Sequence, residues 1–176
     1  SSRPMTPSDY LGARFAALVA VVGAFLLVPQ LVLYVGQAGV DPDGLLPGLI
    51  DGLPNIPKVL AVAAIYAVAY VPLGFVVASL SNRKAVASGS YLVLMLALTA
   101  FAEAIVQNTT FTGGRFVALL APINTADAAN AWVFGAENPN SLLAAADISP
   151  ALGILALIVI GTLATSYSVA RYRRIM

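Results

Sequence analysis

Long apolar segments with almost no charged positions dominate the chain. Four of them reach the length that a membrane helix needs, which is about 20 mostly apolar residues for roughly 30 Å of hydrocarbon. These segments cover about residues 15–36, 58–80, 85–107 and 149–170. The strands of a membrane barrel would alternate apolar and polar residues over about ten positions, and the sequence has no such alternation. The pattern therefore predicts an all-α, polytopic membrane protein with four transmembrane helices in a single domain, residues 1–176.

Two longer connections separate these segments on one side of the predicted bundle. Residues 37–57 are rich in Gly, Pro and Asp, which favour turns, and predict an irregular loop with one interfacial turn near Leu45 to Ile50. Residues 108–148 contain the apolar run Arg115 to Pro122, which is too short to cross. Such a run is typical of a short re-entrant or interfacial helix, and an ordinary surface loop is the alternative. A second short amphipathic helix is expected over Ala126 to Phe134.

The few charged residues predict how the chain is threaded. Lys and Arg accumulate on the cytoplasmic side of short loops. Seven of the nine basic residues fall on one side of a four-span threading, whereas the other side has Lys58, Arg115 and most of the acids. The seven are Arg3, Arg14, Arg83, Lys84, Arg171, Arg173 and Arg174. We therefore expect both termini in the cytoplasm, as residues 1–14 and the tail 171–176, and the two long loops outside.

Composition removes most catalytic functions from consideration. Of the 176 residues, 60% are hydrophobic and 10% are charged, with a mean hydropathy of +0.89, whereas a soluble domain has roughly 25% charged residues. The chain has no His and no Cys, which excludes the usual zinc sites, thiolate nucleophiles, disulfides and Ser-His-Asp triads, and no cofactor is predicted. The net charge is +1 and the basic residues are dispersed, so nucleic acid is not expected as a partner.

Glu103 is the only acidic residue inside a predicted span. An ionisable group at the centre of a membrane helix costs about 2.5–3.5 kcal/mol on insertion scales, but Glu103 lies about four residues from the outer end of its span. Gln107 follows one turn later on the same helix face. Two interpretations stay open. Glu103 and Gln107 line the outer mouth of a pathway, or Glu103 is a structural carboxylate that pairs with Arg115 or caps the re-entrant segment.

The segment before the first span, SSRPMTPSDYLGARFAALVA, predicts a helix that starts between Thr6 and Asp9. It also resembles the cytoplasmic link between the second and third membrane helices of ABC-2 type ATP-binding-cassette transporter permeases, which has the form sRPisR.eYllGK. The residues that carry the resemblance are Ser2, Arg3, Pro4, Asp9, Tyr10, Gly12 and Arg14. Pro7 stands where the family usually has a basic residue. In that family the link docks on the nucleotide-binding subunit, so the resemblance implies that these residues couple the chain to an ATPase.

Further features are similar to the same family. Its permeases have six membrane helices with both termini inside, and the last four would follow the threading predicted above. The basic link Ser81 to Lys84 corresponds to the one before the fifth helix, and Ala121 to Ala128 looks like the outer stretch before the final helix. The resemblance implies a multi-pass protein of a prokaryotic plasma membrane with a second permease half as homodimeric or heterodimeric partner. The family's first two helices would lie outside this sequence.

Three classes of function can be compared. The leading hypothesis is the permease subunit of an ABC transporter in the lipid bilayer, driven by a separate nucleotide-binding ATPase subunit, because the chain has no GxxxxGK[ST] phosphate loop. The alternative is a non-transporting membrane anchor or accessory subunit of a larger membrane complex, which the lack of a charge at mid-membrane favours. An intramembrane enzyme is disfavoured because the sequence has no His and no pair of mid-membrane Asp residues.

Overall fold

Helices make up most of the computed structural model, which describes residues 7–81, 83–108, 112–136 and 138–175. The α-helices are α1 (Pro7–Gly39), α2 (Leu45–Gly52), α3 (Ile56–Leu80), α4 (Lys84–Asn108), α5 (Pro122–Val133), α6 (Leu142–Ala145) and α7 (Pro150–Ile175). The segments Leu53–Asn55 and Thr112–Leu120 are 3-10 helices. Of the described residues, 88% are helical and none is in a strand. The prediction of an all-α protein is confirmed.

Four of these helices, α1, α3, α4 and α7, are long and apolar enough to cross a membrane. They contain 33, 25, 25 and 26 residues, and a helix rises about 1.5 Å per residue against roughly 30 Å of hydrocarbon. Large side chains such as Phe25, Val32 and Leu163 are exposed along them, which is the kind of surface that lipid covers. The prediction of four membrane-spanning helices is therefore confirmed.

The centre of the bundle is α3, which contacts α1, α4, α5 and α7. Its contact with α7 is close because Gly161 has no side chain. A Cβ at Gly161 would lie 3.2 Å from Val68 Cγ1 and 3.4 Å from Pro72 Cγ. The buried residues of α7 recur every three or four positions, as on one face of a helix. They are Gly153, Leu157, Gly161, Ala164 and Ser168.

One end of the bundle carries the start of α1, the link between α3 and α4, and the end of α7, and we call it the terminal face. There, Arg171 Nε donates a hydrogen bond of 3.0 Å to the carbonyl of Ser79 in the last turn of α3. Carbonyls in a last turn lack partners within the helix and attract cations. The rings of Phe15 and Phe75 join α1 to α3 with centroids 5.6 Å apart. The opposite end, which carries α2, α5 and α6, is the loop face.

The connection between α4 and α7 folds back into the bundle. It contains the 3-10 segment over the predicted apolar run and then α5, which contacts α3, α4 and α7. Gly153 in the first turn of α7 makes room for it, because a Cβ there would lie 2.6 Å from Leu143 Cδ2 and 2.9 Å from Thr125 Cγ2. The buried residues of α5 are Pro122, Thr125, Ala126, Ala128 and Ala129. The 3-10 helix Thr112–Leu120 thus covers most of the expected apolar run, and α5, which is packed in the core, covers most of the second expected helix.

Residues 37–57 are more helical than the irregular loop expected from their Gly and Pro content. The first helix continues to Gly39, and α2 and the 3-10 segment lead directly into α3. Pro47, Pro54 and Pro57 each stand in the first turn of a helical segment, where the missing N–H of proline costs no hydrogen bond. Gly44 before α2 has a φ of 102°, which glycine adopts readily. The tail likewise continues α7 as far as Ile175.

Candidate functional site

A cleft opens at the loop face between α1, α2, α3 and α5. Its wider part has a volume of about 410 Å³ and its narrower part about 170 Å³. Gln30, Val59 and Phe134 line both parts, so the two parts adjoin. The other polar and aromatic residues that line this loop-face cleft are Tyr34, Gln37, Asp41, Asn55, Tyr66 and Asn130. The cleft therefore brings polar side chains from four helical elements and their connections to one cavity.

Two of these residues lie well inside the length of their helices, Gln30 exposed and Tyr66 half-buried. Gln30 is nine residues before the end of α1, and Tyr66 is ten residues after the start of α3. An α-helix rises about 1.5 Å per residue, so both residues lie about 15 Å from the loop-face ends of their helices. Polar groups at such a depth in a spanning helix are costly, and they usually face a cavity or the bundle interior. Pro29, beside Gln30, also removes one backbone hydrogen bond from α1.

Two glycines allow α2 to close one wall of the cleft against α1. A Cβ at Gly48 would lie 2.9 Å from Ala38 Cα, and a Cβ at Gly52 would overlap the ring of Tyr34. Residues four apart share a helix face, and glycine there lets two backbones approach closely. The Tyr34 hydroxyl donates a hydrogen bond to the carbonyl of Leu49 in α2. Close packing and this hydrogen bond together hold α2 against the end of α1.

Tyr66 joins α3 to α5 at the narrower part of the cleft. Its hydroxyl donates a hydrogen bond of 2.5 Å to Asp127 Oδ1. Its ring stacks on Tyr70, with centroids 5.6 Å apart and an interplanar angle of 25°. The Tyr91 hydroxyl of α4 donates to the Tyr70 carbonyl at 3.2 Å. These contacts link three helices around Tyr66 and keep its hydroxyl paired with a carboxylate.

Asp41 sets the charge of the cleft. It is the only charged side chain among the described residues that line the cavity, none of which is Lys or Arg. It is half-buried, and its Oδ1 accepts a hydrogen bond of 2.9 Å from the backbone N–H of Asp43. The carboxylate is therefore fixed in the turn between α1 and α2, at the edge of the wider part of the cleft. The formal charge of the described lining residues is therefore negative.

The two residues predicted to line a pathway, Glu103 and Gln107, lie near the loop-face end of α4 and line neither part of the cleft. Glu103 Oε1 accepts a hydrogen bond of 3.2 Å from Asn124 Nδ2, in the first turn of α5. Gln107 is exposed. The Arg115 guanidinium lies over the ring of Phe116, 5.0 Å from its centroid. The hydrogen-bond partner of Glu103 is thus Asn124, in the segment between α4 and α7, and its pathway or structural role stays a prediction.

The residues expected to couple the chain to an ATPase belong to the terminal face. Arg3 and Pro4 lie outside the described residues. Asp9, Tyr10, Gly12 and Arg14 lie in the first turns of α1, which is continuous with the first span. Asp9, Gly12 and Arg14 are exposed. Within the described residues α1 runs from Pro7, with Asp9 in its first turn, and the predicted helix start between Thr6 and Asp9 stays a prediction.

The cleft itself is not foreseen from the sequence. Tyr66 and Asp127 are 61 positions apart, and no local pattern connects them. Tyr66 and Tyr70 resemble a packing ridge on an apolar helix, and Gln30 stands out only as the neighbour of a helix proline. The usable signal is Gln30, because an amide inside a predicted span needs a polar partner or a cavity.

Among the described residues, no group of three or more His, Cys, Asp or Glu side chains could hold a metal ion. No protein-family model, curated protein or solved structure matches the chain. The basis for a functional assignment is therefore the chemistry of the cleft and the placement of the helices around it.

Proposed function

We propose that this chain is the membrane-spanning permease subunit of an ABC transporter, which moves a substrate across the membrane and is driven by a separate ATPase subunit. The observation that carries the proposal is the loop-face cleft. Polar lining residues about 15 Å from the loop-face ends of α1 and α3 give a solute a binding position inside the length of the spanning helices. A static membrane anchor has no need of such a cavity, and polar residues at that depth are costly to keep.

The first helix supplies a wall of the cleft that can move. None of its apolar window is buried inside the chain, and Pro29 interrupts its hydrogen bonds next to Gln30. A tilt of α1 against α3 would change the width of the cleft and leave the packing between α3 and α7 intact. Rigid-body movements of this kind are the usual basis of alternating access in transporters.

The same helix connects the cleft to the proposed coupling segment. It is helical from Pro7 to Gly39, so a displacement of its start at the terminal face is passed along the helix to Pro29, next to Gln30. The resemblance of Ser2 to Arg14 to the ABC-2 link supports an ATPase as the source of that displacement. In this proposal the terminal face lies in the cytoplasm of a prokaryotic cell, and a second permease half completes the transporter.

The coupling segment gives the sharpest test. The chain is expressed with its genomic ATPase partner, and ATP hydrolysis and solute flux are measured in proteoliposomes. We expect Asp9→Arg and Tyr10→Ala to preserve the fold and to reduce flux per ATP hydrolysed at least tenfold. Asp51→Arg is the matched control, because it makes the same change of charge at an exposed acid of the loop face that does not line the cleft. It should leave the coupling ratio within about twofold.

Two outcomes would contradict the proposal. Normal coupled flux in Asp9→Arg and Tyr10→Ala would exclude the segment as the coupling element. Purification of the chain in a complex that contains no P-loop ATPase, together with the absence of flux in proteoliposomes, would favour the alternative of a non-transporting anchor or accessory subunit.

A further inference from the structure

We propose that the loop-face cleft binds a small organic cation through the carboxylate of Asp41, with an ammonium group as the recognised feature. This inference names the substrate class of the proposed permease, and it rests on the proposed function only for the step of transport. The binding itself follows from the lining of the cleft and is measured without any ATPase.

The charge of the lining favours a cation. Asp41 is half-buried at the edge of the wider part of the cleft, and the described lining residues include no Lys or Arg to neutralise it. A charge in a partly desolvated cavity acts on a ligand more strongly than the same charge in bulk water. An anion would meet an uncompensated negative potential there. A neutral solute would gain nothing from the carboxylate beyond a hydrogen bond.

The uncharged part of the lining suits an ammonium group. Gln37 and Asn55 supply amide oxygens that accept hydrogen bonds from N–H groups. Tyr34 and Phe134 supply aromatic rings, and aromatic rings attract ammonium groups through the quadrupole of the ring. The wider part of the cleft, at about 410 Å³, lies within the usual range of about 300–1,000 Å³ for small-molecule sites. Carboxylate, amides and rings thus meet in a cavity of suitable size.

The test measures binding to the purified chain in uncharged maltoside micelles by isothermal titration calorimetry. The probes are choline, ethanolamine and 3,3-dimethylbutan-1-ol, which has the shape of choline but a carbon in place of the charged nitrogen. We expect saturable binding of choline or ethanolamine, and binding of the neutral alcohol that is weaker than that of choline by at least tenfold. This comparison uses the unmodified chain, so it does not depend on the folding of any variant.

The variant Asp41→Asn removes the charge and keeps an oxygen that can accept the Asp43 N–H. We expect it to weaken ammonium binding at least tenfold. Asp43→Asn is the matched control, because it removes a charge two positions away that does not line the cleft. It should change the affinity less than twofold. Circular dichroism and thermal unfolding of both variants check that the fold is kept.

A lipid headgroup and a soluble solute can both supply the ammonium group, and a second arm distinguishes them. Choline binding is repeated in nanodiscs of phosphatidylglycerol with and without added phosphatidylcholine. Competition by phosphatidylcholine identifies a headgroup as the natural occupant, and unchanged choline affinity identifies a soluble solute.

The proposal is overturned by equal affinity for choline and the neutral alcohol, by unchanged affinity in Asp41→Asn, or by the absence of saturable binding of both ammonium probes. A chain that binds ammonium compounds and transports nothing would overturn only the proposed function.

Discussion

Hydroxyl groups inside the spans are satisfied in two different ways. Thr162, Thr165 and Ser168 each donate to the carbonyl four residues earlier in their own helix, which is a local solution open to any helix. Tyr66 instead donates across the bundle to Asp127 of α5. No buried side-chain nitrogen or oxygen in the described segments lacks a hydrogen-bond partner. At the scale of single residues, Tyr66 is therefore distinguished by a partner that lies on another helix and carries a charge.

The Tyr66 hydroxyl is expected to stabilise the contact between α3 and α5. A hydrogen bond to a charged group contributes about 1.5–3 kcal/mol to stability, so Tyr66→Phe should lower the free energy of unfolding by about that amount. The measurement is reversible unfolding of the chain in mixed micelles with increasing SDS. The matched control is Tyr70→Phe, which removes a hydroxyl one turn away and keeps the bond between Tyr66 and Asp127. Equal destabilisation by the two variants would show that the bond has no special role.

At the scale of helices, the sequence predicts where the helices lie along the chain better than it predicts which helices contact each other. Small residues recur along the fourth span at Gly153, Ala156 and Gly161, and such spacing predicts a close approach of another helix without indicating which one. The structure places Gly161 against α3 and Gly153 against Thr125 and Leu143. Ala156 is only half-buried. The identity of a partner helix depends on the summed fit of two surfaces, which no single segment encodes.

The contact at Gly161 makes the packing of α3 against α7 sensitive to volume. Gly161→Leu would insert a side chain where Cβ alone already lies 3.2 Å from Val68 Cγ1. Overpacking of this kind costs about 1–3 kcal/mol, and we expect a matching loss of stability in SDS unfolding.

Gly23→Leu is the control for that substitution. Gly23 lies in the middle of α1 with no heavy atom within 4 Å of a built Cβ, so the same change of residue meets no neighbour. The gain in helix propensity from replacing glycine is similar at both positions, and the difference between the two variants therefore measures packing alone. A loss of stability at Gly23 as large as that at Gly161 would contradict the arrangement of the helices described above.

At the scale of the whole molecule, the apolar segments predicted the number of spanning helices but not the cleft. The spans follow from hydropathy, because the bilayer imposes one length on every helix that crosses it. The cleft follows from contacts between distant positions, such as Gly52 against Tyr34 and Tyr66 with Asp127. Glu103 shows the same limit. Its position in the sequence left a pathway role and a structural role open, and its hydrogen-bond partner is Asn124, a residue that no charge or spacing rule selects.

The threading of the whole chain can be tested with single cysteines, because the sequence contains none. Seven of the nine basic residues belong to the terminal side of the four-span threading, and this excess predicts that the terminal face is cytoplasmic.

Asn140→Cys places a thiol at an exposed position of the loop face, and Ala85→Cys places one at an exposed position next to the link between α3 and α4. Neither substitution alters a charge. In right-side-out spheroplasts, a membrane-impermeant maleimide should label Asn140→Cys at once and Ala85→Cys only after permeabilisation, with the cysteine-free parent as the blank. Labelling of Ala85→Cys in sealed spheroplasts, with protection of Asn140→Cys, would reverse the orientation, place the loop-face cleft on the cytoplasmic side, and separate the coupling segment from any cytoplasmic ATPase.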